Sequence, residues 1–130
     1  MGRIVIMLVR MIFVIELALG IWIASIKGLP YLKLHMALGF GVSLLLLLLA
    51  IVAAIRKLVL PVILGSIFAI LLPYVGIKQF PIRFAPALGP IQYAHVAVAL
   101  AAIGAAEFIH ARTARSMKAA PPTGNEAANV

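Results

Sequence analysis

Apolar residues form four long runs along the chain, and short segments that carry charge, Gly or Pro separate them. A helix that crosses a membrane needs roughly 20 predominantly apolar residues. Four segments meet this length, and they cover residues 4–26, 33–55, 58–77 and 91–111. The pattern therefore predicts an all-α protein in which each run forms one transmembrane helix.

The links between the runs indicate how these helices are arranged. The second link is only Arg56-Lys57, so the second and third helices should be antiparallel neighbours. Pro61 falls in the first turn of the third helix, where a missing N–H costs little. Pro73 lies near the far end of that helix, where proline is expected to cause a kink. We therefore predict a four-helix bundle.

The composition excludes an ordinary soluble domain. Hydrophobic residues make up 65% of the 130 residues and charged residues only 11%, whereas soluble domains are about half apolar and about a quarter charged. A small soluble fold leaves much of its surface exposed, so the excess should face lipid. We predict an integral membrane four-helix domain over residues 1–111. The polar, Pro-containing segment 112–130 is predicted to be a disordered cytoplasmic tail.

Basic residues set the predicted orientation, because cytoplasmic loops are enriched in Lys and Arg. Seven basic residues flank one side of the predicted bundle, namely Arg3, Arg10, Arg56, Lys57, Arg112, Arg115 and Lys118. Four flank the other side, namely Lys27, Lys33, Lys78 and Arg83. The richer side should be cytoplasmic. This places both termini in the cytoplasm, in a multi-pass protein of a bacterial-type inner (plasma) membrane.

Charge and cysteine content narrow the expected partners. The formal net charge is +8, but the basic residues are scattered around apolar runs instead of forming a basic stripe, so no nucleic-acid binding is expected. The absence of cysteine excludes disulfides, thiolate-bound metals and cysteine nucleophiles. Membrane lipid is the expected environment of the chain.

Two histidines are the residues most indicative of chemistry. His35 and His95 each lie near the start of a predicted helix, the second and the fourth. Those helices run in the same direction, so both imidazoles should lie at a similar depth near the non-cytoplasmic side. Ionisable side chains inside a bilayer usually face the interior of the bundle. We therefore expect the two rings to face one interior point.

A haem is the group that best fits two facing imidazoles, because two axial histidines hold an iron porphyrin between helices. Gly39 and Ala99 continue the two histidine faces with small side chains, which would leave room for a flat ring. Lys33 and Arg83 lie near the same side, where they could pair with haem propionates. Two other interpretations stay open, which are a simple interhelical hydrogen bond and another metal or proton role. A two-histidine zinc or copper site would need a carboxylate or thiolate nearby, and no acid is predicted at that end.

The segments LHMALGFGVSLLLLLLA and YAHVAVALAAIGA resemble the histidine-bearing helices of the haem A synthase family and related transmembrane b-type cytochromes. In that family, a four-helix half-bundle carries one histidine on its second helix and one on its fourth. His35 and His95 match those positions. The resemblance implies bis-histidine binding of a haem, most simply b-type. The family has two such halves and this chain has one, so haem binding is implied rather than the family's oxidation chemistry.

Glu16 is the third polar residue that needs an explanation. A carboxyl group near the middle of a transmembrane helix is costly unless it is protonated, paired or hydrated. It could be a proton site or a carboxyl that is hydrogen-bonded to another helix. Near the cytoplasmic side, Glu107 and His110 are close enough to touch and are interpreted as an interfacial pair without a catalytic role. Arg10 is expected to extend to the same interface.

These residues predict a small membrane cytochrome that transfers electrons, as an electron carrier or accessory subunit rather than a stand-alone enzyme. It would act alone, as a homodimer or within a larger respiratory complex, with a quinol or redox protein on the non-cytoplasmic side. One alternative is a proton-coupled exporter, because the small multidrug resistance family resembles this chain in having four short helices and a glutamate in the first, here Glu16. Another alternative is a purely structural membrane subunit.

Overall fold

The computed structural model describes residues 2–26, 31–78 and 89–118. Within these ranges the chain is helical throughout apart from one short turn and two helix-flanking positions. The four helices are α1 (Gly2–Ile26), α2 (Leu32–Ile55), α3 (Val59–Lys78) and α4 (Pro90–Lys118). All four are long and apolar enough to cross a membrane. The prediction of an all-α chain with four such helices is therefore confirmed.

The end of α4 differs from the prediction. Residues 112–118, which were assigned to a disordered tail, belong to the helix. Ala, Arg, Met and Lys favour helix in this segment. Thr113 is also buried, and its hydroxyl donates to the Ile109 carbonyl oxygen at 2.8 Å. Local helix propensity and this contact outweigh the polarity of the segment. The rest of the predicted tail, residues 119–130, lies outside the described residues.

The helices form a closed bundle. Each helix contacts the next along the chain, and α4 returns to contact α1. Helices α2 and α4 also touch across the centre, whereas α1 and α3 do not touch within the described ranges. The diagonal of the bundle between α2 and α4 is therefore shorter than the diagonal between α1 and α3. Side chains on these two helices are the ones that can meet in the middle of the bundle.

The interior is built from a few large and several small side chains. Leu46 and Ile109 are fully buried, and Ala53 and Ala106 lie beside them in the same cluster. Many large apolar side chains instead point outward, including Ile55 at 74% exposure and Ile70 at 71%. In water such a surface would be an unusually large exposed apolar patch. The four apolar helices and this outer surface suggest a multi-pass membrane protein.

Helices α2 and α3 lie very close together at Gly65. A Cβ added there would lie 2.8 Å from the Ala50 Cβ and 3.2 Å from the Leu46 carbonyl oxygen. It would also come within 3.2 Å of the Ile109 Cδ1 of α4. Without a hydrophobic force between helices in lipid, small residues at such points allow the close packing that holds the bundle together.

The turn between α2 and α3 is a Schellman motif. Lys57 N–H donates to the Ala54 carbonyl at 2.8 Å, and Leu58 N–H donates to the Ala53 carbonyl at 3.0 Å. Lys57 has a φ of 56°, the left-handed conformation that glycine adopts with least strain. A lysine therefore occupies a glycine-type position, and the turn folds α3 directly back onto α2.

We expect Gly65→Ala to destabilise the protein by about 1–3 kcal/mol, because the added methyl group has no free space. Gly104→Ala is the matched control, since a Cβ at Gly104 meets nothing within 4 Å, and it should be neutral or slightly stabilising. Thermal unfolding in detergent, followed by circular dichroism, measures both. Equal melting temperatures for the two variants would contradict the close approach.

Lys57→Gly should raise the melting temperature, because left-handed backbone costs a non-glycine residue about 1 kcal/mol or more. Arg56→Gly removes the same charge from the same turn at a φ of −88°, and it should give no such gain. The same unfolding assay compares the two variants. A gain in both would show that charge, not backbone conformation, is responsible.

Candidate functional site

His35 and His95 meet across the short diagonal of the bundle. His35 lies near the start of α2 and His95 near the start of α4, and both side chains are partly buried. Their ring centroids are 6.2 Å apart, and the ring planes are inclined by 74°. The structure thus brings together the two histidines that the sequence places at matching depth. It does so because α2 and α4 run in the same direction and touch.

Glu16 of α1 lies directly beside His35. The Glu16 Oε2 atom is 2.6 Å from the His35 Nδ1 atom, and the two side chains are only 13% and 16% exposed. The oxygen lies off the ring N–H direction, so this is a close polar contact rather than an aligned hydrogen bond. The expectation that no acid lies at the histidine end is therefore wrong. Counting residues along each helix had placed Glu16 too deep, because it ignores side-chain length and the inclination of one helix against another.

A glycine of a neighbouring helix lies next to each of these polar side chains: Gly20 beside His35, Gly39 beside Glu16 and Gly76 beside His95. Added Cβ atoms would lie 3.5 Å from His35 Cε1, 3.9 Å from Glu16 Oε2 and 3.4 Å from His95 Cε1, respectively. These are ordinary contact distances, so a methyl group fits and a larger side chain would displace the polar group. The glycines keep the space around the cluster free.

The sequence interpretation identified only one of these glycines. It assigned Gly39 to space beside a haem, and the structure places the open side of Gly39 next to the Glu16 carboxylate. Gly20 and Gly76 were missed. A signal for Gly20 was present, because it lies one helical turn after Glu16 and therefore on the same face of α1.

Three other residues were proposed from the sequence to lie beside a haem. Ala99 is partly buried and packs against the apolar core. Lys33 is exposed in the first turn of α2. Arg83 lies outside the described residues. The roles of these residues toward a haem stay predictions.

Three polar atoms of the cluster have no aligned hydrogen bond within residues 2–26, 31–78 and 89–118. They are Glu16 Oε1, His35 Nδ1 and His95 Nδ1, and all three are buried. Buried polar atoms without a partner are costly, and in a native fold each needs an explanation.

The donor set also bears on which metal group the cluster could bind. Among the described residues, no group of three His, Asp or Glu side chains is arranged to share one metal ion. A bare zinc ion needs at least three protein ligands. A haem iron needs only one or two, because the macrocycle supplies the others. The two facing imidazoles therefore fit haem better than a bare ion.

A second polar contact joins α1 to α4 further along the helices. Arg10 Nε donates to Glu107 Oε1 at 2.5 Å, and Arg10 Nη2 donates to Glu107 Oε2 at 2.8 Å. This two-pronged geometry is the strongest form of the Arg–carboxylate pair. Glu107 thus has Arg10 as its partner, where the sequence had suggested His110. Both side chains are substantially exposed, so the pair links two helices at the bundle surface.

No known protein-family profile, curated protein or solved structure matches this chain.

Reversing one charge of the Arg10–Glu107 pair should weaken the contact between α1 and α4. We expect Arg10→Glu and Glu107→Arg each to lower the melting temperature in detergent, because like charges then face each other. The double variant Arg10→Glu/Glu107→Arg restores opposite charges and should recover most of the loss. A double variant no more stable than the worse single one would argue against a direct pair.

Proposed function

We propose that this protein is a small membrane cytochrome in which His35 and His95 bind a b-type haem as its two axial ligands. The observation that carries the proposal is the 6.2 Å separation of the two imidazole centroids across the bundle. The resemblance of the two histidine-bearing segments to transmembrane b-type cytochromes supports the same assignment.

The ring separation fits a shared iron atom. A metal–imidazole bond is about 2 Å long, and the bonding nitrogen lies about 1 Å from its ring centre. Two imidazoles on opposite sides of one metal therefore have centroids about 6 Å apart. The 6.2 Å separation is therefore compatible with a shared iron atom, and it also lies within the range of about 4.5–7 Å in which two rings make a direct edge-to-face contact.

The protein would contribute binding, position and environment. His35 and His95 offer nitrogen donors from two helices that touch, so their separation is held by helix packing rather than by loops. The apolar core around Leu46 and Ile109 forms the bundle interior further along the same two helices. When bound, haem supplies a one-electron ferric/ferrous couple, and the surrounding protein sets its potential.

The rest of the proposal follows from charge and depth along the chain. The excess of basic residues on one side favours both termini in the cytoplasm of a bacterial-type inner (plasma) membrane. The histidines then lie near the opposite face, where a quinol or redox protein would exchange electrons. Lys33 and Arg83 are candidates to pair with the propionates. The chain would act as an electron carrier, alone, as a homodimer or as a subunit of a larger complex.

The two alternatives have less support. An exporter that exchanges protons at Glu16 needs this carboxyl free to meet its substrate, and Glu16 is instead in contact with His35. A purely structural subunit would use the Glu16–His35 contact only to join two helices, and it predicts a protein without a haem spectrum. Transport of a cationic dye that is lost in Glu16→Gln but kept in His35→Ala would favour the exporter.

The proposed function predicts a Soret band in protein purified from haem-replete cells, and a shift of that band on reduction with dithionite. His35→Ala and His95→Ala should each abolish the bis-histidine low-spin spectrum, because one axial nitrogen is lost. His110→Ala is the matched control. It removes the third histidine, which lies far along α4 from His95, and it should keep the spectrum.

A colourless, well-folded wild-type protein that also fails to take up added haem would overturn the proposal. So would an unchanged spectrum in both alanine variants. Circular dichroism of each variant establishes that the helices are still formed.

A further inference from the structure

We infer that Glu16 is a positioning residue for His35: its carboxylate holds the Nδ1 side of the ring and thereby directs Nε2 to the iron. This inference rests on the proposed haem binding. It gives Glu16 a role other than that of a proton or substrate site.

The first support is the geometry on α1. Glu16 Oε2 lies 2.6 Å from His35 Nδ1, and both side chains are mostly buried. Gly20, one turn further along the same face, leaves the space that the ring occupies, since its added Cβ would lie 3.5 Å from His35 Cε1. Helix α1 thus presents a carboxylate and an adjacent gap to one imidazole. Rotation about the last side-chain bond of histidine has a broad energy well, so a small ring rotation aligns N–H and oxygen.

The second support is the chemistry of imidazole. A neutral ring carries its proton on one nitrogen and a lone pair on the other, and the hydrogen bond made by one nitrogen decides which of them binds a metal. With Nδ1–H facing Glu16, the lone pair is on Nε2. Metal-binding histidines commonly donate their second N–H to a carboxylate, which fixes the ring and makes it a stronger ligand.

The third support is the asymmetry between the two histidines. His95 Nδ1 is buried and has no hydrogen-bond partner among the described residues. Gly76 lies beside this ring, and a Cβ added to it would be 3.9 Å from that nitrogen. Glu16 therefore acts on one ligand only. His35 would be the stronger axial ligand, and His95 the one displaced more readily.

A carboxylate behind one ligand should also affect the redox equilibrium. Its negative charge and the stronger ligand that it creates favour the more positive ferric state over the ferrous state. Removing that charge should therefore raise the midpoint potential. A residue that only fills space would change how much haem is bound without moving the potential of the haem that remains.

The test compares Glu16→Gln, Glu16→Ala and Glu107→Gln with the wild type, in purified full-length protein. Glu16→Gln keeps an oxygen that accepts from Nδ1–H but removes the charge, whereas Glu16→Ala removes both. Glu107→Gln removes a carboxylate that contacts Arg10 instead of a histidine. Haem affinity is measured by titration into apoprotein, and the midpoint potential by optical redox titration.

We expect Glu16→Ala to bind haem roughly tenfold or more weakly, and Glu16→Gln to lose less affinity. Both Glu16 variants should have a higher midpoint potential than the wild type, and Glu107→Gln should match the wild type in both measurements. If the wild type binds haem and the potentials of all variants are the same, the inference about Glu16 is wrong and the proposed function stands. If the wild type binds no haem, the proposed function itself fails.

Discussion

The bundle has to hold three ionisable side chains, Glu16, His35 and His95, in a mostly apolar interior. In such surroundings each polar group needs a partner, because an unpaired one costs free energy that a small membrane domain cannot easily recover. Among the described residues the pairing is incomplete: Glu16 contacts His35, and the Nδ1 atom of His95 makes no hydrogen bond. Under the proposed function, a ligand would bind the other nitrogen of each ring.

Small residues make the cluster possible. In lipid, helices associate by close packing rather than by the hydrophobic effect, and Gly65 brings α2 and α3 together at a point where even a methyl group is too large. Gly20 and Gly76 serve differently, since the space that they leave is next to a polar ring. Glycine thus allows close helix packing in one region and leaves space for a polar side chain in another.

The sequence was sufficient to predict the four helices and the meeting of the two histidines. It was insufficient to predict the contacts of Glu16 and Arg10. Helix number and the bounds of the first three helices follow from apolar runs and from Gly and Pro in the links, because membrane spans have a required length. The meeting of His35 and His95 was expected from helix direction. The contact of Glu16 with His35 was missed, because it depends on side-chain reach and helix inclination. The pairing of Arg10 with Glu107 was missed because it depends on which helices become neighbours.

The number of side chains that could bind a metal restricts which group the cluster could hold. Among the described residues no three side chains are arranged to share one metal ion, and the Glu16 carboxylate lies on the Nδ1 side of His35. Under the proposed function, a carboxylate in that place would strengthen a ligand without becoming one. Two histidines and one glutamate would then suffice for a cofactor that supplies most of its own ligands.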